Sequence, residues 1–400
     1  NPDLKMPAVT QYIDGTGPLW KGALFPFLFI TIACGAVSGF HALISSGTTP
    51  KMLANESQAC FIGYGGMLME SFVAIMALVA ACIIDPGVYF AMNSPMAVLA
   101  PAGTTDVVAS AAQVVSGWGF SITPDTLHQI ASEVGEQSII SRAGGAPTLA
   151  VGMAYILHGS LGGLMDVSFW YHFAILFEAL FILTAVDAGT RAARFMLQDL
   201  LGVISPGLKK TSSLPANLLA TALCVLAWGY FLHQGVVDPL GGINTLWPLF
   251  GIANQMLAGM ALMLCAVVLF KMKRQRYAWV ALLPTSWLLI CTLTAGWQKS
   301  FSPDTKVGFL AIANKFQAMI DSGNIPPQYT ESQLAQLVFN NRLDAGLTIF
   351  FMIVVVVLAL FSIKTALAAL KEDKPTAKET PYEPMPENLD AIETQAKGAH

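Results

Sequence analysis

Two carboxylates stand where a carboxylate is costly. Glu70 lies inside the apolar run Cys60–Ile84, and Glu178 is centred in FWYHFAILFEALFILTAVD with His172 six residues before it. A charged side chain at bilayer depth costs roughly 2.5–3.5 kcal/mol on insertion scales, so such groups face a protein interior or a water-filled path. Burial raises a carboxyl pKa toward the physiological range, which suits a proton relay. The alternative for each is a neutral or hydrogen-bonded acid that fixes helix packing. Around Glu70, Gly63, Gly66, Ala74, Ala77 and Ala81 recur at three- and four-residue steps, so on a helix they share its face. A stripe of small residues lets another helix approach closely. Glu70 is therefore expected to point into a packed bundle.

A polar interruption precedes it. The run ITIACGAVSGFHALISSGTTPK, from Ile30 to Lys51, is weakened by Gly35, Gly39 and Gly47 and closed by Pro50. His41 has Ser38 three residues before it, Ser45 four after and Thr48 seven after, all on one helical face; Ser46 and Thr49 add two more hydroxyls. Broken helices in secondary transporters free backbone N–H and C=O groups near the midplane, where an anion or coupling ion can bind. The competing reading is a glycine-rich packing helix whose serines bond their own backbone. A second polar break, Trp247-Pro248 and Gly251-Ile-Ala-Asn254-Gln255, carries two amides that hydrogen-bond across helices or line a cavity. Asp187 and Arg191 stand four apart and can pair on one helical turn, with Arg194 beside them. Two arginines could receive an anion by paired hydrogen bonds; an inner anchor and gate latch is the favoured reading.

The elements that hold these residues are membrane-spanning helices. Charged residues make up 12% of the 400-residue chain against about 25% in soluble proteins, and mean hydropathy is +0.59, so the chain is an all-α polytopic membrane protein. About seven spans are expected, near 19–45, 58–84, 168–187, 215–234, 246–270, 277–297 and 344–364. The segment 147–165 is apolar but broken by glycines, and reads as a re-entrant or interfacial helix. Basic residues gather at Lys51, at Arg191, Arg194, Lys209 and Lys210, in KMKRQR (271–276) and in the tail. By the positive-inside rule these segments are cytoplasmic, the 86–146 loop is outside and the C-terminus inside. Within 86–146, Thr123-Pro124-Asp125 opens a helix that Gly135 ends. Thr330 and Gln333 have capping-box spacing. The tail 366–400, rich in Glu, Lys and Pro, reads as disordered.

The organisation that follows is 1–165, the end of an N-terminal module, then a five-helix module over 166–365, then the tail. The chain starts at Asn1 and its first apolar run has no basic n-region before it. That predicts a fragment whose partners include missing N-terminal helices of the same protein, besides membrane lipid. The six cysteines lie in or beside apolar runs without a CxxC pair, and read as packing residues. There is no H-E-x-x-H, G-x-S-x-G, Walker A or G-x-G-x-x-G pattern, and no basic stripe interleaved with aromatics. No metal, cofactor, nucleic-acid partner or enzymatic reaction is expected.

SGFHALISSGTTPK (38–51), RAGGAPTLAVG (142–152), ILFEALFILTAVDAGTRAARFMLQDLLG (175–202) and LWPLFGIANQMLAG (246–259) resemble the carbon starvation protein family over essentially the whole chain. The likeness runs closest to its branch of enterobacterial pyruvate/proton symporters. The resemblance implies an inner-membrane secondary transporter with a LeuT-like fold, of the amino acid–polyamine–organocation superfamily. It implies proton-coupled pyruvate uptake, with carbon-starvation-induced peptide uptake or nutrient sensing as alternatives. On that reading the carboxylate meets helix-end N–H groups around 35–49, aided by Ser45, Ser46, Thr48 or Thr49, and the proton neutralises Glu70 or Glu178.

Overall fold

A computed structural model describes residues 3–19, 22–32, 35, 37–101, 103–237, 242–326 and 329–381, with the backbone alone for 97 and 242–248. Cys34, Trp247, Pro248 and the tail beyond Pro381 thus fall outside what is described in side-chain detail.

The helices are α1 (Leu24–Thr31), α2 (Gly39–Gly47), α3 (Thr49–Met52), α4 (Ser57–Ile83), α5 (Pro86–Asn93), α6 (Met96–Leu99), α7 (Val107–Gly117), α8 (Pro124–Val134), α9 (Gly145–Ser160), α10 (Val167–Ile204), α11 (Leu214–Val237), α12 (Gly242–Lys271), α13 (Trp279–Phe301), α14 (Phe309–Asp321) and α15 (Glu331–Lys371). Among the described residues, six are long and apolar enough to cross a membrane: α4, α10, α11, α12, α13 and α15. The expected seventh span, 19–45, is not one helix. It is split into α1 and α2, each too short to cross alone at about 1.5 Å per residue. Thr48 ends α2 by donating its N–H to Ile44, and Pro50 sits at the start of α3, where its missing N–H costs nothing.

The segment expected as an outer loop is a packed cluster of short helices. Val88, Met92, Leu99, Val115, Leu127, Val134 and Ile139 form its core with Ala150, Ala154 and Tyr171. Burying each large apolar side chain contributes about 1.5–3 kcal/mol. Local signals start the helices. Asp106 accepts from the N–H groups of Val108 and Ala109, both at 3.0 Å. Thr123 caps α8, and Gly135 ends it with φ +76°, a left-handed turn that glycine adopts freely. The 16-residue α9 belongs to this core, and Gly152 sets it directly on Ala80 of α4. Glu136 pairs with Arg142 at 2.7 Å. Tyr155 donates to Glu133 at 2.6 Å, and burial, then that bond and the Glu133 charge, push its phenol pKa well above the usual value.

The main bundle is built on α12, which packs against α13 and α15; α14 lies along α15, and α1 inserts between α12 and α13. Phe27, Ile30, Ile252, Met256, Met263, Ala295 and Val355 form its core. Thr330 accepts from the Gln333 N–H while the Gln333 side chain accepts from the Thr330 N–H, the expected capping box. α15 starts thirteen residues before the span expected at 344 and runs through Lys371, into the segment read as disordered tail. Arg274 then meets Glu379 at 3.0 Å.

Glu70 departs from expectation. Its helix α4 is packed near its C-terminal end, where Ala80 is fully buried, but a Cβ added at Gly63 or Gly66 meets nothing within 4 Å. The small-residue stripe is uncovered by the described residues, and the Glu70 side chain is 45% exposed.

Candidate functional site

The break between α1 and α2 is held open by two consecutive residues of α12. A helix end leaves its last C=O and first N–H groups without intrahelical partners. Gln255 donates its amide to the Phe29 carbonyl, one of the orphans of α1. Asn254 accepts the Phe40 N–H, one of the orphans of α2, at 2.8 Å. Ser38 completes the cap by accepting from the His41 N–H, at 3.4 Å. Asn254 and Gln255 are 3% and 1% exposed, so each satisfies a group that water does not reach. Of the two readings for these amides, the structure places them as interhelical bonds. The Gln255 Oε1 is also buried and without a partner.

Glycines permit this contact. A Cβ on Gly39 would lie 2.2 Å from the Asn254 carbonyl oxygen, and one on Gly251 would lie 2.5 Å from the Ile30 carbonyl oxygen. Side chains at either position would push the half-helices off α12. On its other side α2 meets α10, with Gly47 on Ala192 and the Phe40 ring on Gly189. An apolar groove of about 450 Å³ runs between α2 and α10, lined by Phe40, Leu43, Ala192, Ala193, Met196 and Leu200. It has no group to hold an anion.

His41 points from α2 to α4 and meets Glu70, Nε2 to Oε2, at 2.9 Å. The polar face of the broken helix and the first intramembrane acid, far apart in the chain, are thereby joined. The hydroxyls do less than expected. Ser45 and Ser46 donate to the Ala42 carbonyl, and Thr48 and Thr49 to the Ile44 carbonyl. The Phe40 and His41 N–H groups are also bonded, so within the stretch 35–49 expected to meet a carboxylate these N–H groups and hydroxyls bond to protein groups in this structure.

Glu178 is half-buried on α10 and has no hydrogen bond or ion pair among the described residues. His172 donates its Nδ1–H to the Ser168 carbonyl at 2.8 Å and is not joined to Glu178. Asp187 and Arg191 form the expected pair at 3.0 Å, both half-exposed. Arg194 does not join them; it lies over the Phe195 ring at 4.8 Å, as Lys51 does at 3.6 Å. Among the described residues no group of His, Cys, Asp and Glu could hold a metal ion.

Sequence reasoning missed a second polar layer, at the junction of α1, α13, α14 and α15. Lys299 is 6% exposed, Asp344 2%, Asn341 5% and Ser300 0%. Spans drawn at 277–297 and 344–364 put the two charges at membrane edges. The signal was present: from the capping box, Leu334, Leu337, Val338, Asn341, Ala345 and Thr348 recur at three- and four-residue steps, and all are buried.

Residues 1–295 match the family described as carbon starvation protein CstA. The chain is 92% identical over its full length to the peptide transporter CstA of Escherichia coli K12, covering 57% of that protein. It is 60% identical over 97% of its length to the pyruvate/proton symporter BtsT of the same organism, covering 56% of it. With the peptide transporter CstA of Mycobacterium tuberculosis H37Rv it shares 49% identity over 94% of its length. The chain thus spans little more than half the length of these relatives. No solved structure matches it.

Proposed function

The chain belongs to the carbon starvation protein CstA family, and from that membership we propose a secondary transporter that imports pyruvate with a proton across the bacterial inner membrane. The C-terminus faces the cytoplasm, the orientation that the basic segments favour. The interrupted α1–α2 supports a LeuT-like fold, in which a broken helix lies beside the substrate path.

One observation carries the coupling: the His41–Glu70 contact at 2.9 Å ties the nine-residue half-helix α2 to a spanning helix. While Glu70 is ionised and His41 carries a proton, the pair holds α2 against α4. A proton on Glu70 removes the negative charge and with it the attraction. The contact is thus a latch that a proton can release. Asp187–Arg191 and Arg194, beside Gly47 of α2 on α10, are the gate. Glu178, unengaged, is the second proton-carrying candidate.

The identity of 92% with a protein named a peptide transporter favours a second reading, in which the carried carboxylate is that of a short peptide. Both readings share the carboxylate. Labelled-pyruvate uptake into proteoliposomes under an inward proton gradient, with unlabelled dialanine as competitor, tests them. Gradient-driven pyruvate uptake that dialanine does not suppress supports the first. Dialanine uptake without pyruvate uptake supports the second, and uptake of neither sinks both.

A further inference from the structure

The apolar groove between α2 and α10 runs beside two cations that share one aromatic ring. Its α10 wall includes Ala192, Met196 and Leu200, four apart and so on one helical face. Phe195 stands three residues after Ala192, on the flank of that face. α2 follows α10 in the same direction: Phe40 meets Gly189 and Gly47 meets Ala192. Lys51, in α3 directly after α2, then reaches the Phe195 ring at 3.6 Å, and Arg194 lies 4.8 Å from the same ring. The two charges therefore stand within about 9 Å of each other, closer than the roughly 10 Å over which 0.1 M salt screens them.

Among the described residues neither side chain has an ion pair or a hydrogen bond. The acids of α10 on either side are taken: Asp187 pairs with Arg191 at 3.0 Å, and Asp199 faces Lys209 at 4.0 Å. The Arg194 Nε is buried without a hydrogen-bond partner. A ring face repays part of a cation's lost hydration, but two like charges on one ring repel, and a buried donor on a charged group is costly to leave unmet. An anion between them would relieve both.

The position of the pair says which anion. Gln198 of α10 donates to Asn217 of α11 at 2.7 Å, so this stretch of α10 is level with the start of the spanning helix Leu214–Val237. Lys209 and Lys210 lie in the connection between the two helices. This is the end that the basic residues put at the cytoplasmic surface, where anionic lipids gather and basic pockets between spanning helices take their headgroups. The groove, at about 450 Å³, falls in the size range of small-ligand sites, and its apolar walls suit a hydrocarbon chain and not a hydrophilic ion.

We propose that the groove and its two cations form a binding site for an anionic phospholipid: the phosphate pairs with Lys51 and Arg194, and an acyl chain lies between α2 and α10. One wall belongs to the half-helix and the other to a spanning helix, so the bound chain joins them. The site is independent of which carboxylate the protein carries.

Native mass spectrometry of the whole native polypeptide, titrated with dioleoyl phosphatidylglycerol or dioleoyl phosphatidylcholine, tests it. Wild type should bind the first phosphatidylglycerol at least about tenfold more tightly than phosphatidylcholine, which has the same chains. Lys51→Gln with Arg194→Gln should abolish that preference, while Arg276→Gln, an exposed cation in the 271–276 connection, should keep it. Leu43→Trp, which fills the groove, should weaken phosphatidylglycerol binding, and inorganic phosphate should not displace the lipid. Equal affinity of wild type for the two lipids overturns the proposal, as does a preference that survives in the double variant or falls equally in Arg276→Gln. Unchanged binding by Leu43→Trp, or displacement by inorganic phosphate, overturns the lipid as occupant. If the double variant fails to fold, Lys51→Gln alone decides: the preference should drop about fivefold, and no drop overturns the site.

Discussion

Replacing Gly39 by alanine should do more harm than its single methyl suggests. The added Cβ would stand 2.2 Å from the Asn254 carbonyl oxygen, 2.3 Å from Leu257 Cβ and 2.8 Å from the Ala258 nitrogen. Two of the three are backbone atoms of α12, which no rotamer change can move. Ordinary contact begins near about 3.5 Å, so α2 must withdraw by about 1 Å. Overpacking of this kind costs about 1–3 kcal/mol. The withdrawal also stretches the 2.8 Å bond from Phe40 N–H to Asn254, and a buried donor left unsatisfied costs about 1–3 kcal/mol more. The two effects share one displacement, so roughly 3 kcal/mol is the expected total. Gly346 on α15 is the control: a Cβ there meets nothing within 4 Å. Alanine at that mid-helix position should be neutral or stabilising by up to about 1 kcal/mol. Equilibrium unfolding in mixed micelles reads both, and uptake by Gly39→Ala should fall with its stability. Stability of Gly39→Ala within about 0.5 kcal/mol of wild type would refute the close approach of α2 to α12.

Asn254→Ala removes the cap on Phe40 N–H without a clash, and should cost about 1–2 kcal/mol, with faster amide exchange confined to the start of α2. Tyr155 gives a pH prediction. Its folded pKa is raised above the unfolded value of about 10, so its contribution is complete below that pH and is lost as pH rises through the folded pKa. Trp118 fluorescence, which reports on the short-helix cluster, should show stability falling above about pH 10 in wild type and falling less in Tyr155→Phe. An equal slope in both proteins would mean that the Tyr155–Glu133 bond does not persist in solution.

Much of the chain is legible because its signals are local. Thr123 with Gly135 and Thr330 with Gln333 fix helix ends through side chains three residues away or a glycine's backbone freedom, and the structure places those ends as read. The Asp187–Arg191 pair is one helical turn long and was equally readable. The break in the first span was visible in its glycines, but its partners were not. That Asn254 and Gln255 cap its two ends depends on packing between segments more than two hundred residues apart. The His41–Glu70 pair likewise needed the placement of α2 against α4. The short-helix cluster was hidden because its segments are each too short to show a long period, and a low lysine and arginine count reads as an outer loop either way. Lys299 and Asp344 were misplaced for the opposite reason. Hydropathy windows stop where charge begins, whereas packing continues for another turn of α13 and thirteen residues of α15.

The most direct test is the steady-state accumulation of labelled pyruvate in proteoliposomes of wild type and Glu70→Gln, at a series of imposed pH gradients. One-to-one coupling predicts about tenfold accumulation per pH unit for wild type, since each unit supplies about 1.4 kcal/mol. Glu70→Gln, whose latch can no longer respond to a proton, should exchange labelled for unlabelled pyruvate but accumulate none. Equal pyruvate on both sides of the wild-type membrane, or wild-type accumulation by Glu70→Gln, would contradict the account.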